Sequence, residues 1–377
     1  MIYLDSAATT FQKPAAVEQA AGRAFRELSS PGRGGYAAAV AAAETALDCR
    51  TELQQLFHAA GPDRVVFTMN ATHALNIAIK SVVPEGGKAV ISGYEHNAVT
   101  RPLASLGAGA VVASAPLFRP DQALEAFDQA TRSGADAVIC NHVSNVFGFA
   151  QPIEEIAALC RDRHIPLIID ASQSAGVLPL DMTALGAAYM AMAGHKGLYG
   201  PQGTGVLLCG ADANPKPLLE GGTGSLSRQQ EMPDFLPDRL EAGTHNMPGI
   251  AGLLEGVRFV RRQGVRSICR GERQLAALTA AGLRRLPGVR VFAREDLFAQ
   301  TGVLSFVSDR MDAMAVGAAL AQRDIAVRAG LHCAPLAHQS AGTLESGTVR
   351  VSFSALNSEV EVFRFLETLA DILQGKS

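Results

Sequence analysis

The chain has 377 residues, of which 48% are hydrophobic and 18% are charged, and its formal net charge at pH 7 is −3. This balance is typical of a globular protein with a large core, and it provides neither a nucleic-acid-binding surface nor a polybasic membrane patch. The N-terminus, MIYLDSAATT, lacks a signal-peptide pattern, and no apolar run reaches the ~18 residues of a membrane span. The composition therefore predicts a cytoplasmic protein that binds neither nucleic acid nor membrane.

Strand-like and helical runs alternate from residue 63 onward. Strands are predicted at 63–69, 88–93, 110–117, 135–145, 165–170, 187–194 and 203–209. Helices are predicted between them at 72–83, 121–134 and 152–164. Several strand runs lack polar alternation, which is typical of strands covered on both faces. The pattern predicts an α/β fold built on a mainly parallel sheet.

The pattern changes after residue 250 and predicts a smaller α+β domain. Two long helices come first, followed by three strands and a last helix, at 249–264, 265–286, 289–293, 301–308, 348–354 and 358–373. We therefore expect a large domain over 15–249 and a small domain that combines 1–14 with 250–377. The segment 221–249 is polar and loop-rich, and loops of this length are usually functional or disordered.

Six cysteines are present, and none forms a CxxC pair, which argues against a zinc site or a redox motif. Five lie in strand-like or helical runs and are predicted to be buried: Cys49, Cys140, Cys160, Cys209 and Cys269. Cys333 differs because it lies in RAGLHCAPLAH, among Gly, His and Pro, which is typical of a loop. No metal site is predicted.

Polar residues follow the predicted strands, and ligands of open parallel sheets bind beyond the carboxyl ends of strands. The set contains a lysine, an aspartate, two histidines and a helix start: Thr72, His96, Asn145, Asp170, Gln173, His195 and Lys196. Pyridoxal 5'-phosphate needs a lysine for its Schiff base, an acid at its pyridine nitrogen and an anion site for its phosphate. The inventory suits this cofactor.

Each residue of the set also has a commoner role. A lysine beside glycines is usually solvated, and an aspartate after a strand often caps a helix. In a partly apolar pocket, however, Lys196 would have a lowered pKa and become nucleophilic, and the helix start at 70–72 would offer N–H groups to phosphate. The glycines around Lys196 would let the backbone approach the cofactor. Only the joint occurrence favours the cofactor site.

The chain resembles the class V aminotransferase-like, fold-type I pyridoxal-phosphate enzymes, in the branch of cysteine desulfurases and selenocysteine lyases. The resemblance covers nearly the whole chain and rests on motifs in the order YLDSAATT, EHNA, HVSNVFG, IIDASQSAG, GHKGLYGPQG, LEAGTHN, RAGLHCAP and TVRVSFS. It implies a mainly parallel seven-stranded sheet in the large domain and a smaller α+β domain.

The resemblance also implies roles around the cofactor. Lys196 would carry it covalently and move protons, His96 would stack on its ring, and Asp170 would pair with its nitrogen. The remaining ring and phosphate contacts are assigned to Asn145 and Gln173 at the phenolate oxygen, and to Ala71, Thr72 and His195 at the phosphate end. Thr244 would reach the phosphate of a neighbouring subunit, which implies a homodimer.

Substrate roles follow from the same resemblance. Arg350 would grip the substrate carboxylate, a task that suits a bidentate guanidinium, and Arg328 and Asn145 would line the same pocket. Cys333 would attack the sulfur of L-cysteine, leaving L-alanine and a persulfide that passes to a sulfur-acceptor protein. Its neighbours His332 and Arg328 are expected to favour the thiolate.

The sequence departs from the family pattern at Ala193 and Ala71, where many relatives carry a hydroxyl, and at Leu331, where many carry a histidine. Cofactor affinity is therefore expected to be lower than in relatives with serine at the first position. A selenocysteine lyase and a non-catalytic sulfur-trafficking scaffold stay open as alternatives. A transaminase is disfavoured because Cys333 would have no role in it.

Overall fold

The computed structural model describes residues 1–32, 34–294, 296 and 299–375. The strands are β1 (Ile2–Tyr3), β2 (Val65–Thr68), β3 (Lys88–Ser92), β4 (Gly109–Ala113), β5 (Ala137–Asn141), β6 (Leu167–Asp170), β7 (Tyr189–Ala193), β8 (Gly205–Cys209), β9 (Val289–Phe292), β10 (Val303–Ser308), β11 (Ile325–Ala326), β12 (Arg328–Gly330) and β13 (Thr348–Ser352). The helices are α1 (Ala15–Glu27), α2 (Ala37–Phe57), α3 (Ala71–Val82), α4 (Asn97–Ser105), α5 (Pro120–Thr131), α6 (Ile153–Asp162), α7 (Met182–Leu185), α8 (Met247–Gln263), α9 (Val265–Leu283), α10 (Ala313–Ala321), α11 (Pro335–Ala341) and α12 (Glu359–Leu373).

Seven strands form one sheet in the order β2-β8-β7-β6-β5-β3-β4. Every neighbouring pair is parallel except those that include β8, which runs antiparallel to β2 and β7. Every residue of β5 to β8 is buried, as expected for strands covered on both faces. The predicted mainly parallel α/β fold is confirmed.

Two hydrophobic cores cover the faces of this sheet. Along β6, Leu167 and Ile169 enter the core that includes α2, α6 and α8, whereas Ile168 enters the core that includes α3 and α4. Successive side chains of a strand point to opposite faces, so an uninterrupted apolar run supplies both cores. This double cover leaves the strand ends as the place where polar groups meet.

A second, four-stranded antiparallel sheet has the order β12-β13-β10-β9. Its core includes Leu275 of α9, Val316 of α10 and Phe365 of α12. The N-terminal β1 pairs in parallel with β11, so the first residues of the chain lie beside this sheet. Helix α8 packs against α1 and α2. The division into domains near residue 250 stays a prediction.

The helices α1 and α2 were not predicted from the sequence, nor were α4, α10 and α11. Alanine favours helices but gives little contrast between an apolar and a polar face, so the alanine-rich α2 has weak periodicity. The predicted strand at 135–145 is shorter, since pairing with β6 ends at Asn141, which lies opposite Asp170. The cysteine predictions are confirmed, because five thiols are buried and Cys333 is exposed.

Within the described ranges, no helix combines the length and the apolar character that crossing a membrane requires. The same part of the chain contains no group of three or more His, Cys, Asp or Glu side chains arranged to hold a metal ion.

Candidate active site

A pocket opens at the carboxyl edge of the seven-stranded sheet, where the loops after β2, β3, β5, β6 and β7 meet. Its walls include every residue that we predicted to surround the ring and the phosphate except Thr244: Ala71, Thr72, His96, Asn145, Asp170, Gln173, His195 and Lys196. The sheet register aligns these loops, since Asp170 pairs with Asn141 of β5 and with Ala191 of β7. Parallel strands thus bring residues that are distant in the chain to one edge.

Lys196 lies three residues after β7 and projects into this pocket. Desolvation by the surrounding protein lowers the pKa of Lys196 to about 8, although the charge of Asp170 acts in the opposite direction. Its Nζ has no hydrogen-bond partner among the residues that the structure describes. Because only the unprotonated amine is a nucleophile, this environment prepares Lys196 to attack a carbonyl near neutral pH.

The glycines beside Lys196 make room for protein atoms. A Cβ at Gly194 would lie 2.3 Å from Thr204 Oγ1, and one at Gly197 would lie 2.4 Å from the Ala175 carbonyl oxygen. The expectation that these glycines also let the backbone approach the cofactor stays a prediction. They let the lysine-bearing loop pack closely against the Thr204 side chain and the Ala175 backbone.

The N-terminal segment holds this loop from the other side, a contact that sequence reasoning missed. The carbonyl oxygen of His195 accepts from Thr9 Oγ1 (3.2 Å), from Thr10 N and Oγ1 (3.0 Å each) and from Lys13 Nζ (3.2 Å). The motif YLDSAATT indicated a family, but the use of its threonines depends on a contact across some 185 positions. The backbone before Lys196 is therefore anchored by the N-terminus.

Asp170 ends β6 and is buried. Its Oδ1 accepts from Ser172 N (2.9 Å) and Ser172 Oγ (2.5 Å). The other carboxylate oxygen has no hydrogen bond in the described part of the chain, and the side chain lines the pocket. A buried carboxylate that is fixed through one oxygen and free at the other can hold a protonated ring nitrogen.

The start of α3 forms the anion-binding end of the pocket. Asn70 caps the helix by accepting from His73 N (2.9 Å), while Ala71 and Thr72 occupy the first turn, where N–H groups lack intrahelical acceptors. His195 adds an Nδ1 that is buried without a partner in the described chain. Desolvation and the charges of Lys196 and Lys13 lower the pKa of His195 to about 4. A neutral imidazole and a helix N-terminus suit a phosphate.

The remaining side chains of the pocket are oriented by backbone contacts. His96 Nδ1 accepts from Ala98 N at 3.0 Å at the start of α4, and desolvation lowers the pKa of His96. Asn145 Nδ2 donates to the His332 carbonyl at 2.8 Å, which leaves its buried Oδ1 without a partner in the described structure. Gln173 Nε2 donates to the Ala7 carbonyl at 2.9 Å. These contacts hold one imidazole and two amides in place.

The two predicted substrate arginines lie beside the pocket, opposite each other on β12 and β13. Arg350 is buried and donates from Nη1 to the Asn145 carbonyl at 2.9 Å. Asp5 bridges the arginines, with Oδ1 at 2.7 Å from Arg350 Nη2 and Oδ2 at 2.8 Å from Arg328 Nη2. Sequence reasoning assigned no role to Asp5.

Cys333 is exposed, in a left-handed backbone conformation with φ 55°. Its carbonyl accepts from Asn97 N at 2.8 Å, so its loop is attached to the residue that follows His96. Desolvation and the charge of Arg350 lower the pKa of His332 to about 2. A neutral imidazole contributes no positive charge to a thiolate, and the expectation that His332 and Arg328 favour the Cys333 thiolate stays a prediction.

Thr244 lies outside this pocket, in a separate cleft whose walls include Met69, Leu219 and Glu241. Glu241 fixes the segment, since it binds Arg50 at 2.6 Å and His245 at 2.5 Å. Within one chain, the structure therefore separates Thr244 from the other predicted cofactor residues.

The arrangement of lysine, aspartate and helix N-terminus around one pocket agrees with a comparison to known families. A profile described as "Aminotransferase class-V" matches residues 2–365. The chain belongs to the class V aminotransferase family. The predicted resemblance to this family is confirmed.

Relatives and solved structures agree with that assignment. The chain is 32% identical over 387 residues to a probable cysteine desulfurase of Mycolicibacterium paratuberculosis, a match that covers 100% of this chain but 56% of the relative. It is 31% identical over 387 residues to a probable cysteine desulfurase of Methanothermobacter thermautotrophicus, covering 98% of this chain and 94% of the relative. The apo structure of cysteine desulfurase from Thermococcus onnurineus NA1 superposes with a TM-score of 0.89 at 29% identity, covering 99% of this chain and 95% of that one.

Class V aminotransferases use pyridoxal 5'-phosphate, and the pocket fits that cofactor. Among the described residues, the Lys196 amine and one Asp170 carboxylate oxygen have no hydrogen-bond partner. The buried His195 Nδ1 and Asn145 Oδ1 lack hydrogen-bond partners within the described chain. Buried polar groups are rarely left unpaired in proteins, so these atoms indicate a polar ligand.

Proposed function

We propose that this class V aminotransferase homologue is a cysteine desulfurase, which converts L-cysteine to L-alanine and receives the sulfur on Cys333 as a persulfide. The proposal rests on one main observation: the loop that carries the exposed Cys333 thiol is hydrogen-bonded to two residues at the pocket of Lys196. Asn97 N donates to the Cys333 carbonyl, and Asn145 Nδ2 donates to the carbonyl of the preceding His332. The cysteine desulfurase names of full-length relatives support the same activity.

The pocket residues would hold the cofactor by complementary chemistry. Lys196 would bind its aldehyde carbon, Asp170 its ring nitrogen, and the first turn of α3 with His195 its phosphate. When bound, the cofactor supplies an electron sink that stabilises negative charge at the substrate α-carbon. His96, fixed as the first residue before α4, would cover the ring face.

Lys196 and Cys333 carry out different steps of the reaction. The Lys196 amine accepts the proton from the substrate α-carbon, which its lowered pKa permits near neutral pH. The Cys333 thiolate attacks the substrate sulfur, so that a sulfur–sulfur bond forms while the bond between that sulfur and Cβ breaks. The electron pair of the broken bond stays with the substrate carbon, which takes up a proton and becomes alanine. The products are L-alanine and the Cys333 persulfide.

The arginine pair would bind the substrate carboxylate. Arg350 is buried, and its Nε has no hydrogen-bond partner among the described residues. A guanidinium with unused donors beside the pocket suits a carboxylate. Arg328 is half-exposed at the same site, and the backbone carbonyl of Asn145 accepts from Arg350 Nη1.

We propose a homodimer, because Thr244 would complete a phosphate site only if a second subunit supplied it. The cleft around Thr244 is bordered by two exposed apolar side chains, Met69 and Leu219. Sedimentation of the holoenzyme tests this, with a dimer as the expected result. A fully active monomer would contradict it.

The persulfide on Cys333 requires an acceptor, which we propose to be a thiol-bearing protein because the thiol is exposed. All six cysteines of the chain are free, which suits a reducing compartment such as the cytoplasm.

The proposed function is tested by incubating purified holoenzyme with L-cysteine or L-selenocysteine and a small thiol, and by measuring alanine. Alanine from L-cysteine is the expected result. Alanine from L-selenocysteine alone would favour a selenocysteine lyase. A protein that makes alanine from neither would be a scaffold, and the proposal would fail.

The pKa of Lys196 predicts how cofactor loading depends on pH. Only the unprotonated amine reacts, so the rate of holoenzyme formation from apo-protein should rise as pH increases through about 8 and level off above it. Absorbance of the bound cofactor measures this rate. An inflection near 10.5, the ordinary value for lysine, would show that the pocket does not desolvate the amine.

A further inference from the structure

Asp5 forms an ion cluster with two arginines next to the pocket. Arg328 binds the carboxylate with two nitrogens, Nε at 3.0 Å and Nη2 at 2.8 Å from Oδ2. Arg350 Nη2 binds the other oxygen, Oδ1, at 2.7 Å. Two guanidinium groups therefore share one carboxylate, and the cluster has a net charge of +1.

The backbone fixes this carboxylate in place. On either side of Asp5, Leu4 N donates to the Ala326 carbonyl at 2.9 Å and Ser6 N donates to the Ser352 carbonyl at 3.3 Å. The Asp5 side chain is buried. These backbone contacts hold Asp5 beside the two arginines, with which its carboxylate is ion-paired.

The cluster acts on the chemistry of the pocket. Arg350 contacts the Asn145 carbonyl at 2.9 Å, and Asn145 lines the pocket. The charges of Asp5, Arg328 and Arg350 each affect the pKa of Lys196. A ligand beside Lys196 therefore lies within electrostatic reach of all three groups.

We infer that Asp5 is a specificity-determining residue, which sets the charge of the arginine pair so that the site accepts an amino acid with one carboxylate and disfavours one with two. The inference rests on the proposed function, in which these arginines bind the substrate carboxylate. One α-carboxylate neutralises a cluster of charge +1. A second carboxylate would add a negative charge for which the cluster has no further positive charge.

Removal of the Asp5 charge should therefore change selectivity between ligands of equal size. L-Aspartate and L-asparagine have nearly the same shape and differ by one negative charge. Each is measured as a competitive inhibitor of L-cysteine turnover by the holoenzyme. In Asp5→Asn, where the cluster has a charge of +2, aspartate inhibition should strengthen relative to asparagine inhibition by roughly tenfold compared with wild type.

Two controls separate charge from structure. Asp5→Glu keeps the charge, and Ser352→Ala removes the hydroxyl that accepts from Ala7 N at 2.9 Å in the same segment. Both should leave the ratio of the two inhibition constants close to that of wild type. A purely structural role of Asp5 would instead raise both inhibition constants together and leave their ratio unchanged.

A second variant keeps the inference testable if Asp5→Asn does not fold. Arg328 is half-exposed, with 51% of its side chain accessible, so Arg328→Gln should be tolerated. In this variant the remaining pair of Asp5 and Arg350 has no net charge. Aspartate should therefore bind more weakly relative to asparagine, which is the opposite of the change expected for Asp5→Asn.

Unchanged ratios in both Asp5→Asn and Arg328→Gln would overturn the inference, provided that the wild-type enzyme makes alanine from L-cysteine. Failure of the wild-type enzyme to make alanine would overturn the proposed function instead. The two failures are therefore distinguished by one control reaction.

Discussion

Lys196→Ala is expected to lower alanine formation from L-cysteine by at least ~10³-fold, since a positioned acid–base group alone contributes ~10²–10⁴-fold. The variant also loses the amine that would hold the cofactor, so absorbance of the bound aldehyde should disappear at cofactor concentrations that saturate wild type. Enzyme assays and absorbance titration of the same preparations measure both effects. The physical reason is that Lys196 is the amine of the pocket with a pKa lowered to about 8.

Lys80→Ala is the matched control for this prediction. Lys80 lies in the last turn of α3, away from the pocket walls, so both activity and cofactor absorbance should resemble wild type. Thermal unfolding of the two cofactor-free variants should be similar, since a bound cofactor would itself raise the unfolding temperature. Alanine formation by Lys196→Ala at a rate close to wild type would remove the basis of the proposed mechanism.

Cys333→Ser is expected to lower alanine formation from L-cysteine by at least ~10³-fold while leaving cofactor binding intact. A serine hydroxyl is far less acidic and less nucleophilic than a thiol, so it cannot attack the substrate sulfur at neutral pH. Because Cys333 is exposed and outside the cofactor pocket, the substitution should not alter stability. Alanine release and the cofactor spectrum are the two measurements.

Cys269→Ala provides the control, since this thiol is buried in α9 and should have no part in the reaction. L-Selenocysteine provides a second test of the same variant, because selenide is a better leaving group than sulfide. Alanine formation from L-selenocysteine by Cys333→Ser would show that the rest of the site is intact. Full activity of this variant on L-cysteine would refute the persulfide route and favour elimination chemistry.

The strands of the large sheet and the residues at their carboxyl ends could be predicted because both depend on local patterns. The apolar residues 167–169 of β6 indicate a strand that is covered on both faces. The polar residue that follows them, Asp170, then lies at the carboxyl edge of the sheet. Asp170 and Lys196 were located in this way, and the structure places both in one pocket. The alanine-rich α2 was missed because its faces differ little in hydrophobicity.

Contacts between distant positions could not be predicted from local patterns. Asp5 and Arg350 are 345 positions apart, yet their side chains meet at 2.7 Å. The threonines of the N-terminal motif bind the His195 carbonyl across 186 and 185 positions. Such contacts depend on how the N-terminal segment lies against β13 and against the loop after β7, which no single segment encodes alone.

The sequence by itself determined which chemical groups the protein has and which strand ends carry them, because strand pattern and motif are properties of neighbouring residues. Only the tertiary structure decided the charge of the arginine cluster, the neutral state of His332 and the position of Cys333 beside the loops of His96 and Asn145. The physical reason is that charge compensation and desolvation depend on every group that surrounds an atom, and those groups come from distant parts of the chain.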